Sequence, residues 1–192
     1  MEIKKLVCGL YGANAYVIDG KYVVDPGDDI GKLRREIPKP EAILLTHGHF
    51  DHMLGAEILQ QESGAKVYLH ETDAGMLTDE YLSAYNADAC RLGQPKSIVR
   101  SDYPEELFGF RVLHTPGHTP GCVCLYSEAE KVLFSGDTLF RAGYGRYDLP
   151  GGDVNALVRS LNMLLELPGD TMVYPGHGEM TTIEEERRRY GR

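Results

Sequence analysis

The stretch LLTHGHFDHM, residues 44–53, carries an apolar strand end straight into three histidines and an aspartate: His47, His49, Asp51 and His52. Imidazoles and a carboxylate at this density are donor types that bind a divalent cation together. His47 and His49 lie two apart in an extended segment, so both point the same way. Asp51 and His52 fall at the turn into a helix and face a neighbouring point. The run reads as one part of a metal site set at the end of a strand. The remaining donors must come from elsewhere in the chain.

Three other strand ends supply them. FRVLH leads through TPG to His118, KVLFSG leads to Asp137, and TMVYPG leads to His177. Strand ends on one edge of a sheet gather side chains that are distant in sequence. The expectation is two divalent metal ions per chain. His47, His49 and His118 hold the first, and Asp51, His52 and His177 hold the second. Asp137 lies between them, because a carboxylate has two oxygens and can bridge. Each ion then keeps room for water. Donors that are all nitrogen and oxygen suit zinc, iron or manganese, with zinc the first expectation. Asp25, in VVDPGD, is either a turn residue or an acceptor for a ligand imidazole. His70 and His114 are read as structural histidines.

Working outward, IKKLVCG, NAYVIDG and YVVDPG read as a strand meander joined by glycine turns. DDIGKLRREI reads as a short helix with Asp28 or Asp29 as N-cap. EAILLT and KVYLH are strands on either side of a helix, HMLGAEILQQES. Residues 71–96 look helical and irregular, their tyrosines and methionines are read as packing positions, and the segment is expected to shape the pocket. LFGFRVLH, CVCLYS and KVLFSG return to strands. DVNALVRSLNMLLEL is an amphipathic helix stopped by Pro168-Gly169, and TMVYPG is the last strand. TIEEERRRYGR is a terminal helix with Glu184–Arg188 and Glu185–Arg189 at i,i+4 spacing, read as a solvated face. Two packed sheets with helices outside fit this order.

The chain has 192 residues, 42% of them hydrophobic, which suits one globular domain spanning 1–192. Its net charge of −9, without a basic block, argues against a nucleic-acid partner and against an anionic membrane surface. No apolar run approaches the roughly 18 residues of a membrane span. No signal sequence is read after Met1, so the expected location is the cytoplasm. The four cysteines are too scattered for a disulfide scaffold. Cys122 and Cys124 share one face of a strand and are read as small core residues. The oligomeric state is left open.

THGHFDH (46–52), HTPGHTPG (114–121), FSGDTLF (134–140) and YPGHG (174–178) together resemble the metallo-β-lactamase superfamily, and within it the glyoxalase II branch. The resemblance spans nearly the whole chain. It implies an α/β fold, a four-layer αββα sandwich with the metals at one edge, and the same seven ligands in the same two sets. The β-lactamases of the superfamily lack this bridging aspartate, so FSGD disfavours that activity. Glyoxalase II enzymes also carry C-terminal helices that contact glutathione, and this sequence shows no counterpart. In DTLFRAGYGRYDLPGGD, Arg146 falls where glyoxalase II has a glutathione-contacting lysine, and Asp148 falls where it has a tyrosine. A retained cation keeps an anionic or glutathione-like substrate in view.

The expected activity is that of a binuclear metallohydrolase acting on a small thioester or ester. Hydroxide bridging the metals attacks the acyl carbonyl, Asp51 orients that nucleophile, and Arg146, Tyr144 and Tyr147 hold the substrate. The alternative is a mononuclear iron persulfide dioxygenase. That family resembles this chain in its GR-x-D segment and uses the His47, His118 and Asp137 positions. A metal-stabilised binding protein without turnover is disfavoured, because a structural site needs only four ligands.

Overall fold

The computed structural model describes residues 1–191. The strands are β1 (Ile3–Cys8), β2 (Ala13–Ile18), β3 (Tyr22–Val24), β4 (Ala42–Leu44), β5 (Lys66–Tyr68), β6 (Arg100–Ser101), β7 (Glu106–Leu107), β8 (Phe110–His114), β9 (Val123–Ser127), β10 (Val132–Gly136), β11 (Leu139–Phe140), β12 (Gly143–Tyr144), β13 (Met172–Pro175) and β14 (Thr181–Thr182). The helices are α1 (Ile30–Glu36), α2 (Phe50–Met53), α3 (Ala56–Ser63), α4 (Val154–Leu165) and α5 (Ile183–Arg189). One six-stranded sheet runs β1-β2-β3-β4-β5-β6, and a second runs β14-β13-β10-β9-β8-β7. β11 and β12 form a separate hairpin.

The central strands are apolar on both faces because both faces are covered. In β2, Ala15 and Val17 pack towards α1 and α3, while Tyr16 and Ile18 pack between the sheets. In β9 and β10, Cys124, Tyr126 and Leu133 pack against α4 and α5, and Leu125 and Phe134 face the other sheet. Three apolar layers therefore separate four structural layers, helix–sheet–sheet–helix. Cys122 and Cys124 are buried as small core residues, and burial pushes the Cys124 thiol up to about 11.

Three local expectations are corrected. The helix anticipated over HMLGAEILQQES is broken at Gly55 into α2 and α3. There the chain passes so close to the DPG loop that a Cβ would lie 2.9 Å from the Gly27 carbonyl oxygen. LFGFRVLH is not one strand: Phe108 and Gly109, at φ 53° and 84°, turn it into the β7–β8 hairpin. Segment 71–96 is helical and irregular as expected, with 3-10 stretches at Glu71–Leu77 and Ala87–Ala89. The α5 charge run is not simply solvated. Glu186 is fully buried, accepting from Ala142 N and Thr181 Oγ1, and Arg187 donates to the Leu165 and Leu167 carbonyls at the end of α4. Glu184 pairs with Arg188 as expected, but Arg189 pairs with Glu186 and not Glu185. Of the two α1 cap candidates, Asp29 is the one that accepts from Lys32 N.

β3 and β4 run parallel, as do β10 and β13. Parallel neighbours end on the same edge, so Asp25 lies near His47 and Asp137 near His177. Among the described residues no helix is long and apolar enough to cross a membrane.

Candidate metal centre

The edge where these strands end brings all seven expected donors together. His47, His49 and His118 place donor atoms within 4.8 Å of one another, and so do Asp51, His52 and His177. In the first set His49 Nδ1 lies 2.8 Å from His118 Nε2. In the second, His52 Nε2 and His177 Nε2 approach to 3.2 Å, and Asp51 Oδ2 lies 3.3 Å from His177 Nε2. The Asp137 carboxylate sits between the sets. Its Oδ1 is 3.4 Å from His52 Nε2, and its Oδ2 is 3.5 Å from His118 Nε2 and 3.6 Å from His177 Nε2.

The outward ring nitrogens explain why the inward ones converge. His118 Nδ1 lies 2.7 Å from the Arg146 carbonyl oxygen, and His177 Nδ1 lies 3.2 Å from that of Tyr11. A carbonyl only accepts, so both imidazoles carry their proton on Nδ1 and turn a lone pair inward. His52 Nδ1 donates to Asp25 Oδ2 at 3.1 Å. The Thr46 hydroxyl donates to the same carboxylate oxygen at 2.6 Å, so it is left to accept from His47 Nδ1 at 3.0 Å. Asp25 also receives Thr46 N at 2.7 Å. Asp25, His47 and His52 form a third close group, but these bonds occupy Asp25 as a support for the imidazoles. It adopts φ 48°, a strained conformation that the three bonds hold in place.

The donor set fits divalent ions. His47 Nε2 and Asp137 Oδ1 are buried without a hydrogen-bond partner, a costly arrangement for polar atoms unless a cation completes it. Burial and the neighbouring imidazoles hold His47 neutral, far below its ordinary range, and burial with His118 lowers His49 to about 3. Neutral imidazole is the form a metal requires. Burial works against charge at His52, yet Asp137, Asp51 and Asp25 outweigh it and push the imidazole up to about 10. The same contest raises His177 and, through His52 and His177, keeps Asp51 well below the usual carboxylate range.

A pH prediction follows with a definite sign. A histidine raised on folding contributes stability that is full below about pH 6.5 and lost as pH climbs through its folded value. Protein stripped by chelation should therefore lose thermal stability between pH 6.5 and about 10. Metal-loaded protein should lose less, because the cation replaces the His52 proton. Parallel unfolding profiles with and without chelator would contradict this.

Support reaches beyond the expected residues. Asp73 is fully buried and accepts from Gly48 N (3.0 Å), Thr119 Oγ1 (2.6 Å) and Gly121 N (2.6 Å). It thereby ties the His47 loop to the His118 loop. Nothing local in ETDAGML marks it, because its partners lie 25 to 48 positions away. His70 and His114 stack at 4.3 Å away from the donor sets, consistent with their structural reading.

A cleft of about 480 Å³ opens onto the centre. Tyr11, Phe50, Phe140 and Leu149 give it an apolar wall, and Asn86 and Arg146 add polar groups. Arg146 thus sits where a substrate contact was expected. Its guanidinium is held by Asp148 through two bonds of 2.7 Å. Tyr144 does not line this cleft but faces a groove along α4, and Tyr147 is absent from the cleft wall. Segment 71–96 reaches the cleft through Ala84 and Asn86, while Met76 and Leu77 pack inside. Tyr11 and Asn86 were not singled out by sequence.

A family description, "Metallo-beta-lactamase superfamily", matches residues 8–177. Hydroxyacylglutathione hydrolase GloC of Haemophilus influenzae is 35% identical over 86% of this chain and 84% of its own length. TTHA1623, solved in a di-iron-bound form, superposes with a TM-score of 0.89 at 40% identity, covering 98% of each chain. BLEG-1, described as a B3 metallo-beta-lactamase, gives a TM-score of 0.85 at 39% identity over 97% of each chain.

Proposed function

The chain belongs to the metallo-beta-lactamase superfamily, and from that premise we propose that it is a binuclear metallohydrolase that cleaves small thioesters or esters. The observation that carries this reading is the Asp137 carboxylate, set between two three-residue donor sets with an oxygen towards each. The similarity to GloC supports the thioester class, and the di-iron-bound form of TTHA1623 supports a two-metal centre, with zinc, iron or manganese suited to its nitrogen and oxygen donors.

When bound, the metal pair would supply Lewis acidity and bring a water's pKa near neutrality. His47, His49 and His118 would hold one ion and Asp51, His52 and His177 the other, with Asp137 available to both. Asp51, ionised throughout the working range, accepts a hydrogen bond at Oδ2 and orients the attacking water. The apolar wall of Tyr11, Phe50 and Phe140 excludes bulk water from the acyl group. Arg146 at the rim offers a cation to an anionic group on the leaving thiol, which must displace Asp148. Water adds to the carbonyl carbon, the carbon–sulfur bond breaks, and a carboxylate and a thiol leave.

The test combines elemental analysis of protein purified without chelator with a panel of S-lactoylglutathione, simple thioesters and esters. The expected result is about two metals per chain and thiol release that stops on chelation. Absence of hydrolysis across the panel, with oxygen uptake on glutathione persulfide and one iron per chain, would install the dioxygenase instead. A β-lactam belongs in the panel because of the BLEG-1 similarity, and cleavage of it alone would overturn the thioester reading.

A further inference from the structure

We propose that Asn14 is a positioning residue for the second half of the metal centre, acting through the loop that carries His177. The proposal rests on the binuclear reading above.

Asn14 lies in β2 and is 1% exposed. Its side-chain nitrogen donates to the Pro175 carbonyl at 2.8 Å and to the Gly178 carbonyl at 3.1 Å. Its backbone nitrogen donates to the Gly176 carbonyl at 2.7 Å. One residue thus satisfies three of the four carbonyls from 175 to 178, and His177 lies inside that bracket. Neighbours on the same turn complete the grip: Ala13 forms a β-bridge with His177, and the Tyr11 carbonyl accepts from His177 Nδ1.

The chemistry selects asparagine. An amide has two N–H bonds that diverge, and here each meets a different carbonyl. Serine has one donor and aspartate has none. The amide oxygen, by contrast, is buried with no partner. The two donors are the function of the side chain, and their target is the backbone on either side of one ligand. His177 needs this help, because its side chain is 26% exposed whereas those of His52 and His118 are 0% and 3%.

The first donor set has no bond to Asn14. Its imidazoles are oriented by Thr46 and by the Arg146 carbonyl. The effect of losing Asn14 is therefore confined to one half of the centre.

The test is metal content after dialysis against trace-metal-free buffer, for wild type, Asn14→Ala and Tyr16→Phe, each loaded with zinc or cobalt(II). Tyr16 donates to the same Pro175 carbonyl at 2.6 Å and its hydroxyl also meets the Asn14 side chain, so Tyr16→Phe removes one buried bond to that strand end while leaving both Asn14 donors to the loop in place. Wild type and Tyr16→Phe should hold about two ions. Asn14→Ala should hold about one, its second ion weakened about tenfold or more, with a cobalt spectrum of the nitrogen-rich site and a near-UV circular dichroism spectrum like wild type. If Asn14→Ala does not fold, Asn14→Ser, which retains one donor, carries the same readout. Two tightly held ions in the folded variant would overturn the proposal, as would joint loss of both ions with the folded spectrum. One ion in wild type would instead overturn the binuclear reading, and the proposal with it.

Discussion

Asp137→Ala should abolish turnover, by about 10³-fold or more, while the protein stays folded. Asp137 lies within 3.6 Å of imidazole nitrogens from both donor sets. Removing it takes an oxygen from each prospective ion and leaves His118, His52 and His177 facing one another without the carboxylate between them. At His52 it also deletes the foremost of the carboxylates that favour its charge. Both ions should weaken together, which separates this variant from Asn14→Ala, where one is retained. Elemental analysis and thiol release are the readouts. Asp137→Asn, of equal shape and without charge, should fall nearly as far. A folded Asp137→Ala variant with two ions and a rate within tenfold of wild type would remove the basis of the binuclear reading.

Gly176→Ala, a single added methyl, should cost on the order of 10²-fold in activity, because displacements of about 1 Å at a reacting centre have that effect. A Cβ at Gly176 would lie 2.1 Å from Asp137 Oδ1, 2.8 Å from His52 Cε1 and 3.0 Å from the Gly136 carbonyl carbon. The backbone of Gly136 and the packed imidazole have little freedom to retreat, so the carboxylate must swing away. The consequence is a shifted Asp137 and a disturbed metal pair within an otherwise intact fold. The cobalt spectrum should change while the unfolding temperature moves little. Unchanged activity in Gly176→Ala would mean that the carboxylate position is not critical.

The donor residues were legible because their signal is local. H-x-H-x-D-H crowds ligand types at a strand end, and the other three donors follow apolar runs in the same way. The sheet layers were legible for a related reason: strands covered on both faces read as unbroken apolar runs. Asp25 was half legible: VVDPGD left open a turn residue or an acceptor for a ligand imidazole, and the structure makes His52 that imidazole and adds Thr46. Asn14, Tyr11 and Asp73 were not legible at all. Their roles are bonds to partners tens to more than a hundred positions away, and the residue types are ordinary where they stand. Tyr144 and Tyr147 were assigned to the cleft by proximity to Arg146. The β11–β12 hairpin and the turn after it have no simple periodicity, so adjacency in sequence did not translate into a shared face. The α5 run misled because a buried Glu186 looks like any other acidic residue until Ala142 N and Thr181 Oγ1 are seen to point at it.

The donors do not come from one layer. His47, His49, Asp51 and His52 follow β4 of the first sheet, while His118, Asp137 and His177 follow strands of the second. Among the described residues no strand of one sheet is laddered to a strand of the other, and the Ala13–His177 bridge with the Asn14 N–Gly176 O bond joins them at this edge. Cations bound across this edge would act as a clasp, closing a chain loop that runs 125 positions from His52 to His177. Because such ions bind the folded chain and leave the unfolded one, the stability they add would rise with free-metal concentration. The rim where the donors meet is also the rim where the two sheets need fastening, so ions bound there for catalysis would hold the sandwich shut as well.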